Sequence, residues 1–222
     1  RGLVGSEMCI RDRYNQSTAS ALHDGMVTAW TNAAGRYSLN MSEAAAYGTG
    51  STMRLKNWAC AMGGAYVMVL GMDIASTSIA DLESCGYVSA FFEQTSFSEM
   101  APHDELKAGV TDYVLALPGS KYILYASGAG DLGVTGLTAG TYNLLWFDPV
   151  DGSQEAQTGV NVGAGTGYFT RPASTGDEAA LYLVFTGDGG NTAPTAENSN
   201  VTTAYETSTL ITLTYTDPDG PG

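Results

Sequence analysis

Positive charge is what this sequence has least of. Nine Lys and Arg stand against 23 Asp and Glu in 222 residues, a net charge of −14, and the isoelectric point lies near 4.2. No basic run of five or more occurs, so the basic stripe that nucleic acid needs is missing. Long apolar stretches are missing as well. No run of eighteen exists, which leaves no candidate membrane-spanning helix. Histidine occurs twice, as His23 and His103, and the cysteines Cys9, Cys60 and Cys85 form neither a CxxC nor another metal-ligand spacing. Gly48 and Gly50 do not open a GxGxxG, and Ser42 lacks the glycines of a nucleophile elbow. The sequence therefore predicts no metal, no cofactor, no nucleic-acid partner and no membrane partner.

Gly, Ser, Thr, Asn and Asp are plentiful, a composition that suits an extracellular, β-rich protein. Residues 1–13 depart from it. Arg1, Arg11 and Arg13 are three of the nine cations, and the segment has no apolar core of the kind a secretory signal carries. It resembles a conceptual translation of sequencing-adapter DNA and is set apart from the fold. At the other end, Leu210-Ile-Thr-Leu-Thr-Tyr-Thr216 reads as a strand close to the last residue, and one strand cannot make a domain. The chain thus reads as a fragment cut at both ends. Cys60 and Cys85 fall on two predicted helices, either as small buried apolar residues or as a disulfide.

Between these ends the texture changes once. Met26, Val27, Trp30, Ala33 and Ala34 have helical spacing, with Asp24 as a candidate cap and Gly35 as a stop. A strand follows at about 36–43. Next comes a helix capped by Ser51 or Thr52, with Leu55, Trp58, Ala59 and Met62 on one face and Gly63-Gly64 at its end. Ala65-Tyr-Val-Met-Val-Leu-Gly71 is a nearly continuous apolar run, as in strands buried on both faces. A further helix spans about 78–94. Strand, helix, strand over 36–71 is one βαβ unit. From 113 onward short β runs alternate with turn dipeptides such as Pro118-Gly119 and Asp151-Gly152. Seven candidate strands lie at Tyr113–Leu117, Lys121–Ser127, Leu132–Leu137, Thr141–Phe147, Gln154–Val162, Gly167–Thr170 and Ala180–Thr186, which predicts a small antiparallel sandwich. Its many large aromatics serve either as core and docking surface or as a glycan-binding row; docking is the stronger reading.

Side chains alternate along a strand, so Tyr37, Leu39, Met41 and Glu43 share one side. Three point to a core and the fourth is acidic. An acid at the carboxyl end of such a row, before a Gly-rich loop, is either a solvated exit residue or a catalytic group of a (β/α) enzyme. Tyr47 is placed to stack on a sugar ring. His23 stands at a helix entry and either contacts substrate or simply begins the helix. His103 is expected to brace the junction between domains.

Leu39-Asn-Met-Ser-Glu43 with Tyr47-Gly-Thr-Gly50, Trp58 and Gly63-Gly-Ala65 resembles the last βαβ unit of a (β/α)8 glycoside-hydrolase barrel of the apiosidase-like group. Lys121-Tyr-Ile-Leu-Tyr125 and Tyr142-Asn-Leu-Leu-Trp-Phe-Asp-Pro149 resemble the collagen-binding-type β domain that often follows such barrels. Asn191-Thr-Ala-Pro194 and Thr216-Asp-Pro-Asp-Gly220 resemble the opening of bacterial Ig-like or cadherin-like repeats. The resemblance implies α/β followed by all-β: residues 14–104 as the C-terminal end of a (β/α)8 barrel, 105–188 as the antiparallel β-sandwich, 189–198 as linker and 199–222 as a truncated Ig-like repeat. It implies a secreted glycoside hydrolase acting on a polysaccharide or glycan, with the β domain docked on the barrel. Glu43 is then the strand-seven catalytic carboxylate, with Tyr47 and His23 as substrate contacts. Such hydrolysis needs two carboxylates, and the resemblance puts the second upstream of this chain, so the fragment itself is expected to be inactive. The other reading is a glycan- or matrix-binding module without catalysis.

Overall fold

The computed structural model of the chain describes residues 18–41, 48–67, 75–187, 195–196 and 215–216. Helix α1 (Ala19–Ala33) begins where the Thr18 hydroxyl accepts the Ala21 amide, a turn and a half before Asp24. The earlier start lets the helix carry both Leu22 and Met26 into the core. At its end Ala34 adopts the left-handed conformation, and its N–H reaches the Trp30 carbonyl.

Strand β1 (Leu39–Met41), helix α2 (Gly50–Met62) and strand β2 (Ala65–Val67) form the strand, helix, strand unit. The strands are parallel, with Leu39 opposite Ala65, Asn40 opposite Tyr66 and Met41 opposite Val67. Helix α2 follows Thr49 rather than starting at Ser51 or Thr52. It ends at Gly63-Gly64 for a steric reason: Gly64 has φ of +84°, and a Cβ there would lie 2.5 Å from the Trp30 ring. Tyr37 falls outside β1 and is exposed, so the core row of this strand begins at Leu39. Helix α3 (Ile79–Glu93) is capped by the Ser78 hydroxyl, which accepts the Asp81 amide. Among its expected apolar positions Val88, Phe91 and Phe92 are buried, while Ile79 and Leu82 are exposed.

From residue 101 onward every described pairing is antiparallel. Strands β3 (Ala101–Pro102), β5 (Tyr113–Leu117), β6 (Lys121–Ala126), β8 (Gly140–Phe147), β9 (Gln154–Val162) and β11 (Ala179–Gly187) build a six-stranded sheet in the order β3-β5-β6-β11-β8-β9. Strands β4 (Lys107–Gly109), β7 (Leu132–Leu137) and β10 (Gly165–Phe169) build a second sheet in the order β10-β7-β4. The two sheets share one core, in which Tyr122, Leu124, Tyr142, Trp146 and Leu181 of the larger meet Leu132, Val134 and Phe169 of the smaller. The short strands β3 and β4 carry no alternating run that a sequence pattern could detect. Strands β12 (Thr195–Ala196) and β13 (Tyr215–Thr216) pair with each other. The rest of the strand expected over 210–216, and the sequence after it, lies outside the described residues.

The larger sheet is apolar on both faces. Ile123, Tyr125, Phe147, Ala180 and Tyr182 point away from the sheet-to-sheet core and meet Trp58 and Met62 of α2 and Val88, Phe91 and Phe92 of α3. Burial on both sides explains why β6, β8 and β11 read as near-continuous apolar runs rather than as alternation. A third cluster lies on the other side of α2, where Met53 and Cys60 join Leu22 and Met26 of α1 and Leu39 and Met41 of β1.

Candidate functional site

Glu43 and Tyr47 lie outside the described residues. What is described is the approach to them. Leu39 and Met41 pack against α1 and α2, and Asn40 is on the opposite, exposed face of β1. After the undescribed stretch, Gly48 and Gly50 both hold positive φ, of 86° and 56°, so the loop into α2 uses conformations that glycine adopts without strain.

His23 sits on the inner face of α1 and is 1% exposed. Its Nδ1 lies 2.9 Å from the Ala59 carbonyl oxygen of α2, and its Nε2 lies 2.7 Å from Asp104 Oδ2. Its ring stacks on Tyr113 at 3.9 Å between centroids. Both nitrogens are engaged, so substrate contact through this ring would require breaking that bracket. Asp104 also accepts the Val114 amide at 2.9 Å, which ties the bracket to the start of β5. Burial pushes the Asp104 carboxyl up. The hydrogen bonds from His23 and Val114, with the charges of His23 and Lys107, outweigh burial and hold it below the ordinary aspartate value. His103 forms a local pair with Glu105 at 2.6 Å; the histidine that spans the junction is His23.

A second bracket joins α2 to the larger sheet. Arg54 reaches Glu178, with Nε 3.0 Å from Oε2 and the terminal nitrogen 2.9 Å from the same oxygen. Tyr125 donates its hydroxyl to Glu178 Oε1 at 2.8 Å. Glu178 is buried at the start of β11. Burial lowers the Arg54 pKa and the Glu178 carboxylate raises it, with a net rise. Tyr125 is pushed well above its ordinary value, first by burial and then by the adjacent carboxylate. Between the brackets lies Trp58, stacked on Tyr125 at 5.1 Å and tilted against Phe91, Phe92 and Phe147.

Beside this junction a cavity of 240 Å³ is bounded by β2, α2, α3 and the segment after α3. Its walls include Asn57, Tyr66, Cys85, Phe92 and Phe97. Cys60 and Cys85 are thiols and do not form a disulfide. The Cys85 sulfur donates to the Asp81 carbonyl oxygen, and burial pushes its pKa up, which makes it a poor nucleophile. Among the described residues no group of three His, Cys, Asp or Glu side chains is arranged to hold a metal ion. No described helix is long and apolar enough to cross a membrane.

The junction acids were not found by sequence reasoning. Asp104 and Glu178 stand in ordinary polar loops with no period to mark them. Arg54 did leave a signal, because it precedes Trp58 by four residues and Ala61 by seven, a cation on an apolar helical face. A charge there has to find a partner or leave the face.

No protein-family model and no curated protein matches the chain. Several solved structures are similar to part of it, two of them glycoside hydrolases. One, described as a glycoside hydrolase, is 16% identical with a TM-score of 0.45, and the match covers 61% of this chain and 36% of that one. The other is a glycoside hydrolase family 5 protein from Bacteroides vulgatus ATCC 8482, 14% identical with a TM-score of 0.44, covering 60% of this chain and 36% of that one. The chain spans just over a third of the length of either structure.

Proposed function

We propose that the chain is the C-terminal part of a secreted glycoside hydrolase, with Glu43 as one of its two catalytic carboxylates and the two-sheet unit as a sandwich docked on the barrel. The observation that carries this reading is the parallel β1–β2 pair joined through α2, whose first strand runs toward Glu43. The two parallel strands among the described residues do not enclose a substrate, and hydrolysis needs a second carboxylate to protonate the leaving oxygen or to activate water. On this reading the chain by itself is expected to be inactive. The reading also sets a requirement. Leu39 and Met41 face the helices, so an acid serving the barrel mouth has to leave that row beyond Met41.

The docking role is preferred to a glycan- or matrix-binding one because of where the aromatics lie. Tyr122, Tyr142, Trp146 and Phe169 fill the core between the sheets, and Tyr125, Phe147 and Tyr182 meet the helices. Tyr168 is the exposed large aromatic of this unit among the described residues, and one ring does not make a stacking platform for a glycan.

A longer chain that restores the upstream strands tests the assignment. Glu43→Gln there should reduce glycoside turnover by about 100-fold or more, while the 222-residue chain should show none. Unchanged turnover in the Glu43→Gln protein removes Glu43 from the mechanism.

A further inference from the structure

We propose that Asp81 is a positioning residue for the candidate site: its carboxylate, delivered from α3, pins the start of α2 and so anchors one end of the segment that carries Glu43 and Tyr47. The inference rests on the reading of Glu43 as a catalytic carboxylate. Asp81 lies buried in the first turn of α3, and its Oδ1 accepts the Gly50 amide at 2.8 Å. Gly50 opens α2, and Thr49 before it is extended and supplies no side-chain cap. An amide at the helix start thus finds its acceptor on another helix, where a carboxylate is also favoured by the α2 dipole. Gly48 and Gly50 hold φ of 86° and 56°. Glycine leaves such a backbone free to take other conformations, so the bond from Asp81 sets the direction in which the chain enters α2.

The segment has two anchors. At one end Met41 is buried in the cluster with α1 and α2. At the other, Gly50 is tied to Asp81. Asp81 is itself held, because its amide donates to the Ser78 hydroxyl at 3.1 Å and α3 packs on the larger sheet through Val88, Phe91 and Phe92. A segment closed at both ends samples fewer conformations than one released at one end, and reacting groups lose rate steeply when their placement drifts. Asp81 acts through the Gly50 amide and not on the reacting atoms.

Two measurements test this. In the 222-residue chain, hydrogen-exchange protection of the Gly50 amide, corrected for intrinsic rate, should fall by about tenfold in Asp81→Ala and persist in Asp81→Asn, which keeps an acceptor oxygen. Unchanged protection in Asp81→Ala overturns the proposal independently of Glu43. In the longer chain with the upstream strands restored, assayed well below each variant's thermal midpoint, Asp81→Ala should lower kcat by about tenfold while KM changes by less than about threefold, and Asp81→Asn should restore kcat. Helix capping alone would lower the thermal midpoint of Asp81→Ala and leave kcat where it was; that result removes the positioning role even where Glu43→Gln abolishes turnover. Equal loss of kcat in Asp81→Ala and Asp81→Asn also removes it. Asp81→Glu, which displaces the carboxylate by a methylene without deleting it, carries the same comparison should Asp81→Ala fail to fold. Unchanged turnover in Glu43→Gln overturns the proposal together with the reading beneath it.

Discussion

Scarcity of cations makes each one informative. Arg54 holds Glu178, Lys121 holds Glu99 at 2.7 Å, and Arg171 donates to the carbonyls of Gly128, Gly130, Gly176 and Asp177, drawing two loops together. The Arg54 site is the one where loss of a single atom group has the largest expected effect. Glu178→Ala leaves a half-buried guanidinium and the Tyr125 hydroxyl without an acceptor, and should destabilise the chain by about 2–3 kcal/mol. Replacing both partners, as Arg54→Met with Glu178→Leu, should recover the part of that loss due to the unpaired guanidinium but not the part due to the Tyr125 hydroxyl, which still lacks an acceptor. Urea titrations of the single and double variants measure both quantities. At this scale Arg54 was passed over, although a cation four residues before Trp58 on a helix is a signal. Its partner gave no signal, because 124 positions separate Arg54 from Glu178 and no local pattern links them.

At the scale of elements, α2 is the piece that joins the α1–β1 cluster to the larger sheet. One side gives Met53 and Cys60 to the α1–β1 cluster, and the other gives Trp58 and Met62 to the sheet. The predicted apolar stripe of Leu55, Trp58, Ala59 and Met62 names part of this burial. The second side was invisible because Met53 and Cys60 fall on a different face and gain meaning only once α1 covers it. Turns behave similarly. Asp151-Gly152 is readable as a turn, yet Gly152 also lies against α3, where an added Cβ would be 2.7 Å from the Tyr87 ring. Gly159 has a comparable φ of +66° with nothing within 4 Å. Gly159→Ala should therefore cost only left-handed strain, about 1 kcal/mol. Gly152→Ala should cost that plus the displacement of Tyr87, about 2–3 kcal/mol in all. Thermal midpoints of the two variants separate strain from clash.

For the molecule as a whole, the consequence is that the sheet unit is not an independent module. Leu115, Ile123, Tyr125, Phe147, Ala180 and Tyr182 form a contiguous apolar face that α2 and α3 cover. Residues 105–188 expressed alone should expose that face, bind a hydrophobic dye and self-associate, whereas the 222-residue chain should not. Sedimentation and dye binding of the two preparations check this, and a monomeric, dye-silent 105–188 would falsify the cooperative reading. Trp58→Ala in the full chain should cost about 3–5 kcal/mol, with one unfolding transition by far-ultraviolet dichroism and by fluorescence.

What the sequence determined by itself was the succession of elements: helix, strand, helix, strand, helix, then short β runs. Periodicity, caps and glycine turns act over a few residues and are written locally. Tertiary structure alone decided the strand order β3-β5-β6-β11-β8-β9, the double-sided burial of the larger sheet, and the partners of His23 and Arg54. These depend on which surfaces meet in space. Burying a charge is tolerable only where an opposite charge arrives from a distant part of the chain, and no local spacing encodes that arrival.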